Sequence, residues 1–171
     1  EWPAIVVVDL QKGETDEEYP MGSDLSSVIE ATNELVDIAH EMGVPVFWTR
    51  VVYTHSDAAD AGLWTEKIPL IADWKEGTEW VEIDERCHVG EDDHILDKRH
   101  ASSFHETELD SMLTSMGCDT VIVTGCSTGA CVRSTVDDSS AHGYRTIVPE
   151  TCVGDRSRQQ HEAHLWDLDR K

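Results

Sequence analysis

The sequence predicts a three-layer α/β/α fold on a mostly parallel, open sheet, Rossmann-like in outline. Three observations carry this: short continuous apolar runs rich in β-branched residues, helical-period segments between them, and glycines that close those segments. Helices cover both faces of such a sheet, so its strands read as unbroken apolar runs rather than alternating ones.

Residues 4–8, Ala-Ile-Val-Val-Val, suit a strand buried on both faces, with Asp9 at its carboxyl end. Ser23 or Asp24 caps the next segment, where Leu25, Val28, Ile29, Leu35, Val36 and Ile38 recur near helical spacing until Gly43 stops the helix. Residues 45–49 form the second strand. Residues 53–86 mix Gly, Pro, Trp and charge without clear period, which predicts a long lid-like excursion holding one short helix. Residues 94–97 make a third strand ending at Lys98. A helix follows over 107–116, with Leu109, Met112 and Leu113 on one face and Gly117 closing it. Residues 119–124 are the fourth strand, 129–141 the next helix before Gly143, and 144–148 the fifth strand. Right-handed crossovers join parallel strands in this alternation.

A chain of 171 residues fits a single domain, expected to span residues 1–171. The longest apolar stretch is far too short to span a bilayer, and no basic, apolar and small-residue leader opens the sequence, so a soluble, cytoplasmic protein is expected. Five cysteines without a C-x-x-C pair make a disulfide framework unexpected. The formal net charge of −22, from 35 acidic and 13 basic residues, argues against nucleic-acid and anionic-membrane partners. Acids such as Glu30, Glu34, Asp37 and Glu41 fall within an apolar-periodic helix and read as a solvated surface. Only five basic residues are Lys. This balance predicts a halophilic setting, in which high salt screens the self-repulsion.

Ligand sites of open α/β sheets lie outside the carboxyl ends of the strands. Asp9 and Lys98 fall at two such ends, and Cys131 lies just inside the helix after the fourth strand. Taken singly, an Asp after a strand is usually a turn residue, a Lys is solvated, and a Cys is packing. Together they offer a nucleophile, a base and an electrostatic partner. The helix start and Lys98 both favour a Cys131 thiolate, so its pKa is expected to be lowered. The segment Thr124-Gly-Cys-Ser-Thr-Gly-Ala-Cys131 also presents backbone N–H groups suited to an oxyanion. It is neither a Walker loop nor G-x-G-x-x-G, which sets nucleotide binding aside.

Three motifs in order carry a resemblance to the isochorismatase-like cysteine hydrolases: Val7-Val8-Asp9-Leu10-Gln11, Asp97-Lys98, and Thr124-Gly-Cys-Ser-Thr-Gly-Ala-Cys131-Val132. The resemblance implies that Asp9, Lys98 and Cys131 form a catalytic triad, that the Cys126–Ser127 peptide is cis, and that the N–H groups of Ser127 and Cys131 form the oxyanion hole. Phe47 to Tyr53, Ala59 to Trp64, Lys98 to Phe104, Val153 to Arg156 and His161 to Asp167 resemble the branch of the family that hydrolyses N-carbamoylsarcosine. That implies a small carboxylate-bearing amide as substrate, Arg156 as the group that binds its carboxylate, and Thr128 and Trp64 beside it. A guanidinium fork matches a carboxylate in two hydrogen bonds. Maleamate is the rival substrate, since the same groups serve both.

No cofactor and no catalytic metal are expected. Nicotinamidases of the family carry Asp-x-His…His after the second strand, where this chain has Thr49 to Tyr53 with only His55 nearby. His161 and His164 are one residue short of H-E-x-x-H and read as structural or solvated. His100 and His105 follow Lys98 in a loop bordering the pocket, and the resemblance gives them no role. The family implies a homo-oligomer, dimer or tetramer, for which Trp64, Trp74 and Trp80 offer apolar surface. The alternative from another class is a non-catalytic small-molecule binding domain, which has no physical reason to retain the whole triad.

Overall fold

The computed structural model describes residues 1–170, and it has the α/β architecture with a parallel open sheet that the sequence predicts. The elements run β1 (Pro3–Val8), α1 (Lys12–Thr15), α2 (Ser26–Met42), β2 (Val46–Val51), α3 (Trp64–Lys67), β3 (His94–Lys98), α4 (Leu109–Ser115), β4 (Thr120–Cys126), α5 (Arg133–Ala141), β5 (Arg145–Ile147), β6 (Val153–Gly154) and α6 (Arg158–Leu168). The strand order is β3-β2-β1-β4-β5, with β6 paired to the end of β4, and every pairing is parallel.

Strand alternation divides β1 between two cores. Ala4, Val6 and Val8 pack with Leu109 and Leu113 of α4 and Val136 of α5. Ile5 and Val7 pack with Val28, Ile29 and Val36 of α2. This is why the run has no polar member: both faces are covered. Gly43 ends α2 in the left-handed conformation, at φ 68°, where a residue without Cβ is least strained.

Register makes the sheet's carboxyl edge level. Val8 lies opposite Thr49 of β2 and Gly125 of β4, and Val51 lies opposite Lys98 of β3. Gly125 has φ +100°, and a Cβ there would lie 2.0 Å from the Val8 carbonyl oxygen. Only glycine lets β4 approach β1 at this point.

The structure departs from the sequence reading in several places. The excursion carries four short helical turns, at Ala59–Ala61, Trp64–Lys67, Pro69–Asp73 and Glu79–Val81, rather than one. They surround a small core of their own, including Met21, Tyr53, Ile71, Trp74 and Val81. Trp74 is therefore interior, only 2% exposed, and offers no surface to a partner. The helix expected from residue 129 begins as a π-type turn, Thr128–Val132, before α5 proper starts at Arg133. Finally, β6 and α6 have no counterpart among the expected elements: β6 has two residues, and α6 buries none of its side chains fully, so neither leaves a periodic signal. No helix among the described residues is long and apolar enough to cross a membrane.

Candidate active site

Asp9 follows β1 directly and adopts φ 52°, an uncommon backbone state for a residue other than glycine. Its amide donates to Thr49 O at 3.0 Å, which ties the turn to β2. Its side chain, essentially sealed from solvent, accepts from the Thr49 hydroxyl at 3.0 Å on one oxygen and from Lys98 Nζ at 2.8 Å on the other. Lys98 donates its remaining protons to the carbonyls of His100 and Ala101, both at 2.9 Å. Burial alone would lower the Lys98 pKa, but Asp9 and Cys131 outweigh it and raise it above the ordinary lysine value.

Cys131 sits in the Thr128–Val132 turn, 5% exposed, within electrostatic reach of both Asp9 and Lys98. The structure thus brings the three residues together. It reverses the expectation for the thiol: burial pushes its pKa well up, Lys98 pulls it down, and Asp9 and Glu14 push it up again. That direction favours the thiol form of Cys131, and Asp9 lies beside it as a group able to take the proton.

The Cys126–Ser127 peptide is cis, as the resemblance implies. A chain of hydroxyls runs underneath: Thr135 donates to the Cys131 carbonyl at 2.7 Å and accepts from Ser103 N at 3.0 Å, and Ser103 Oγ lies 3.2 Å from Thr49 Oγ1. Since Thr49 donates to Asp9, the hydroxyls link nucleophile and carboxylate through the core. Asp155 Oδ2 accepts from Gly129 N at 2.9 Å, and Ser127 O accepts from the amides of Ala130 and Val132 at 3.0 and 3.2 Å.

Thr128 is fully buried, and its hydroxyl already meets His161 Nδ1 at 2.9 Å, while His164 Nδ1 meets Arg133 at 3.0 Å. Both histidines are therefore engaged structurally. Arg156 is exposed and makes no ion pair or hydrogen bond among the described residues. Trp64 is half-buried and packs against both the cluster containing Cys131 and the core of the excursion.

The sequence reading does not include Glu14. It lies in the one-turn α1, only 6% exposed, with Ser127 Oγ 3.5 Å from its carboxylate. Burial is the main cause that raises its pKa to about 8; Asp9 and Asp155 add to the rise, and Arg156 and Lys98 oppose it. A four-residue helix carries no period that could flag it. Thr49, Ser103 and Thr135 escape the sequence too, because hydroxyls far apart in the chain meet only through the fold.

Among the described residues, one cluster could hold a metal: His100, His105 and Glu106 bring one donor atom each within 4.8 Å of one another. It is mostly exposed and lies on the loop after Lys98. A surface cavity of about 610 Å³ lies elsewhere, among Val136, Val148 and Leu165, and none of the site residues lines it.

Comparison with known proteins gives the family of the chain. The isochorismatase domain family matches residues 3–171. The chain is 35% identical over 170 residues to the maleamate amidohydrolase of Pseudomonas putida, covering 99% of this chain and 80% of that protein. It is 37% identical over 177 residues to an N-carbamoylsarcosine amidase of an Arthrobacter species, covering 99% of this chain and 66% of that protein. An isochorismatase-like hydrolase from Alkaliphilus metalliredigens superposes with TM-score 0.88 at 26% identity, over 99% of this chain and 91% of that one.

Proposed function

The chain belongs to the isochorismatase family as one of its amidohydrolases, and on that premise we propose that it cleaves the C–N bond of a small, carboxylate-bearing amide through Cys131. The observation that carries this reading is the buried convergence of Asp9, Lys98 and Cys131 on one sheet edge. A binding protein gains nothing from sealing a lysine and a carboxylate beside a thiol, because that arrangement costs desolvation.

Asp9 takes the Cys131 proton as sulfur attacks the carbonyl carbon. A C–S bond forms, and the carbonyl electron pair moves to oxygen, held by the N–H groups of Ser127 and Cys131. The amides of Gly129, Ala130 and Val132 are already engaged, which supports that choice of donors. Collapse breaks the C–N bond while Asp9 returns the proton to nitrogen, releasing ammonia and leaving a thioester. Water, deprotonated by Asp9, then breaks the C–S bond, and the proton goes back to sulfur. Lys98 keeps Asp9 oriented and offsets its charge before the first transfer.

Arg156 is the substrate-carboxylate group in this reading. Its freedom from ion pairs, on a surface crowded with acids, supports that role. N-carbamoylsarcosine is the first substrate to test; its acyl product is a carbamate that loses carbon dioxide to give sarcosine. Maleamate is the second, since the P. putida relative is named for it. Ammonia release from N-carbamoyl amino acids, maleamate and nicotinamide, at high salt, tests the reading in wild type and Arg156→Leu. Turnover of the carboxylate-bearing amides, lost selectively in the variant, is expected. Equal loss on nicotinamide overturns the role of Arg156, and a wild type silent on every amide overturns the reading itself.

A further inference from the structure

Tyr53 is fully buried, yet its hydroxyl has no hydrogen-bond partner among the described residues. An unsatisfied buried hydroxyl destabilises the fold, and phenylalanine would fill the same space without that cost. Packing therefore does not explain the oxygen.

Its place does. Val52, one residue earlier, donates its amide to the Lys98 carbonyl at 3.0 Å, so Tyr53 lies beside the end of the strand that carries Lys98. Its backbone is fixed on both sides: its amide reaches Trp74 O at 2.7 Å, and its carbonyl accepts from Glu76 N at 2.9 Å. The phenol feels Cys131 and Asp9 on one hand and the Arg99–Asp60 pair on the other. None of these groups bonds to it. Asp9 uses one oxygen for Thr49 and the other for Lys98, and the Lys98 donors go to Asp9, His100 and Ala101.

Strand order then decides which end of a substrate it meets. Tyr53 follows β2, between β1 and β3, whereas Arg156 follows β6, which pairs with β4 on the other side of β1. With Asp9 at the end of β1, the two lie on opposite flanks of the site. A substrate whose carboxylate lies at Arg156 and whose carbonyl lies at Cys131 directs its –NH2 group toward β2.

We propose that Tyr53 is a substrate-binding residue whose hydroxyl accepts a hydrogen bond from the –NH2 group of the scissile carboxamide. The inference rests on the amidohydrolase reading above and extends it to the amide end of the pocket. Tyr53 and Arg156 then read the two ends of one molecule, a primary amide or carbamoyl group and a carboxylate.

Tyr53→Phe is the test, because it keeps the ring and removes only the orphan oxygen. Steady-state kinetics on N-carbamoylsarcosine, maleamate and nicotinamide, with thermal melting of the same preparations, give the readout. Expected is a fall in kcat/KM on the order of ten- to a hundredfold, similar for every amide the wild type turns over, with Tm unchanged or raised. A purely structural role predicts the opposite pairing: a lowered Tm, with activity falling only as folded protein is lost. An active wild type with an equally active variant removes the role of Tyr53 alone. A wild type silent on every amide removes the amidohydrolase reading, and this role with it.

Discussion

Lys98 Nζ lies 2.8 Å from Asp9 Oδ2, with the two side chains 0% and 2% exposed. A charge pair that deep is held by mutual attraction and by full hydrogen bonding, and removing one partner strands the other. Lys98→Met is expected to cost about 3–5 kcal/mol in urea unfolding and to abolish activity. Adding Asp9→Asn to Lys98→Met is expected to recover part of the stability and none of the activity. A double variant no more stable than the single one contradicts the pairing.

Glu14 gives a stability profile in pH. Its folded pKa, about 8, stands above the ordinary value of 4.5, so between those values the folded state keeps a proton that the unfolded chain has lost. Stability from this group therefore falls as pH rises from 4.5 to 8 and is level beyond. Glu14→Gln removes the dependence. The variant is expected to match wild type near pH 4.5 and to exceed it by several kcal/mol, on the order of 3–5, above pH 8. Unfolding free energies at both ends of the range check this, and parallel profiles contradict it.

The two core faces and the strand-end chemistry are legible in sequence because each depends on contiguous residues. The unbroken run before Asp9, the spacing of Val28, Ile29 and Val36, and Gly43 each carry their own signal. The excursion is not legible, since Met21, Ile71, Trp74 and Val81 form its core from scattered positions. The thiol shows the same limit. Its neighbours Asp9 and Lys98 are readable, but the depth of Cys131, which decides the direction of its pKa, belongs to the packing. Glu14 and the hydroxyl chain of Thr49, Ser103 and Thr135 exist as a site only once β1, β2 and α5 are in register.

Gly125→Ala tests how closely the site depends on strand approach. A Cβ 2.0 Å from the Val8 carbonyl, at φ +100°, must push β4 away from β1 just before Cys126 and Ser127. Loss of soluble folded protein is expected, or a destabilisation above about 4 kcal/mol. A variant with wild-type Tm and kcat contradicts the pairing of Val8 with Gly125.

Net charge predicts a salt dependence. With −22 spread over the chain, screening is expected to raise Tm steadily toward molar KCl. Melting curves across that range check it; a flat or falling Tm contradicts the halophilic reading.

The most direct test of the central claim is the bond to sulfur. Intact-protein mass spectrometry of enzyme quenched during turnover of N-carbamoylsarcosine or maleamate is expected to show an acyl adduct that maps to Cys131. The adduct should be absent from Cys131→Ala, whose ammonia release should fall by on the order of a thousandfold or more. Wild-type ammonia release from Cys131→Ala, or an adduct on another residue, contradicts the assignment of Cys131 as nucleophile.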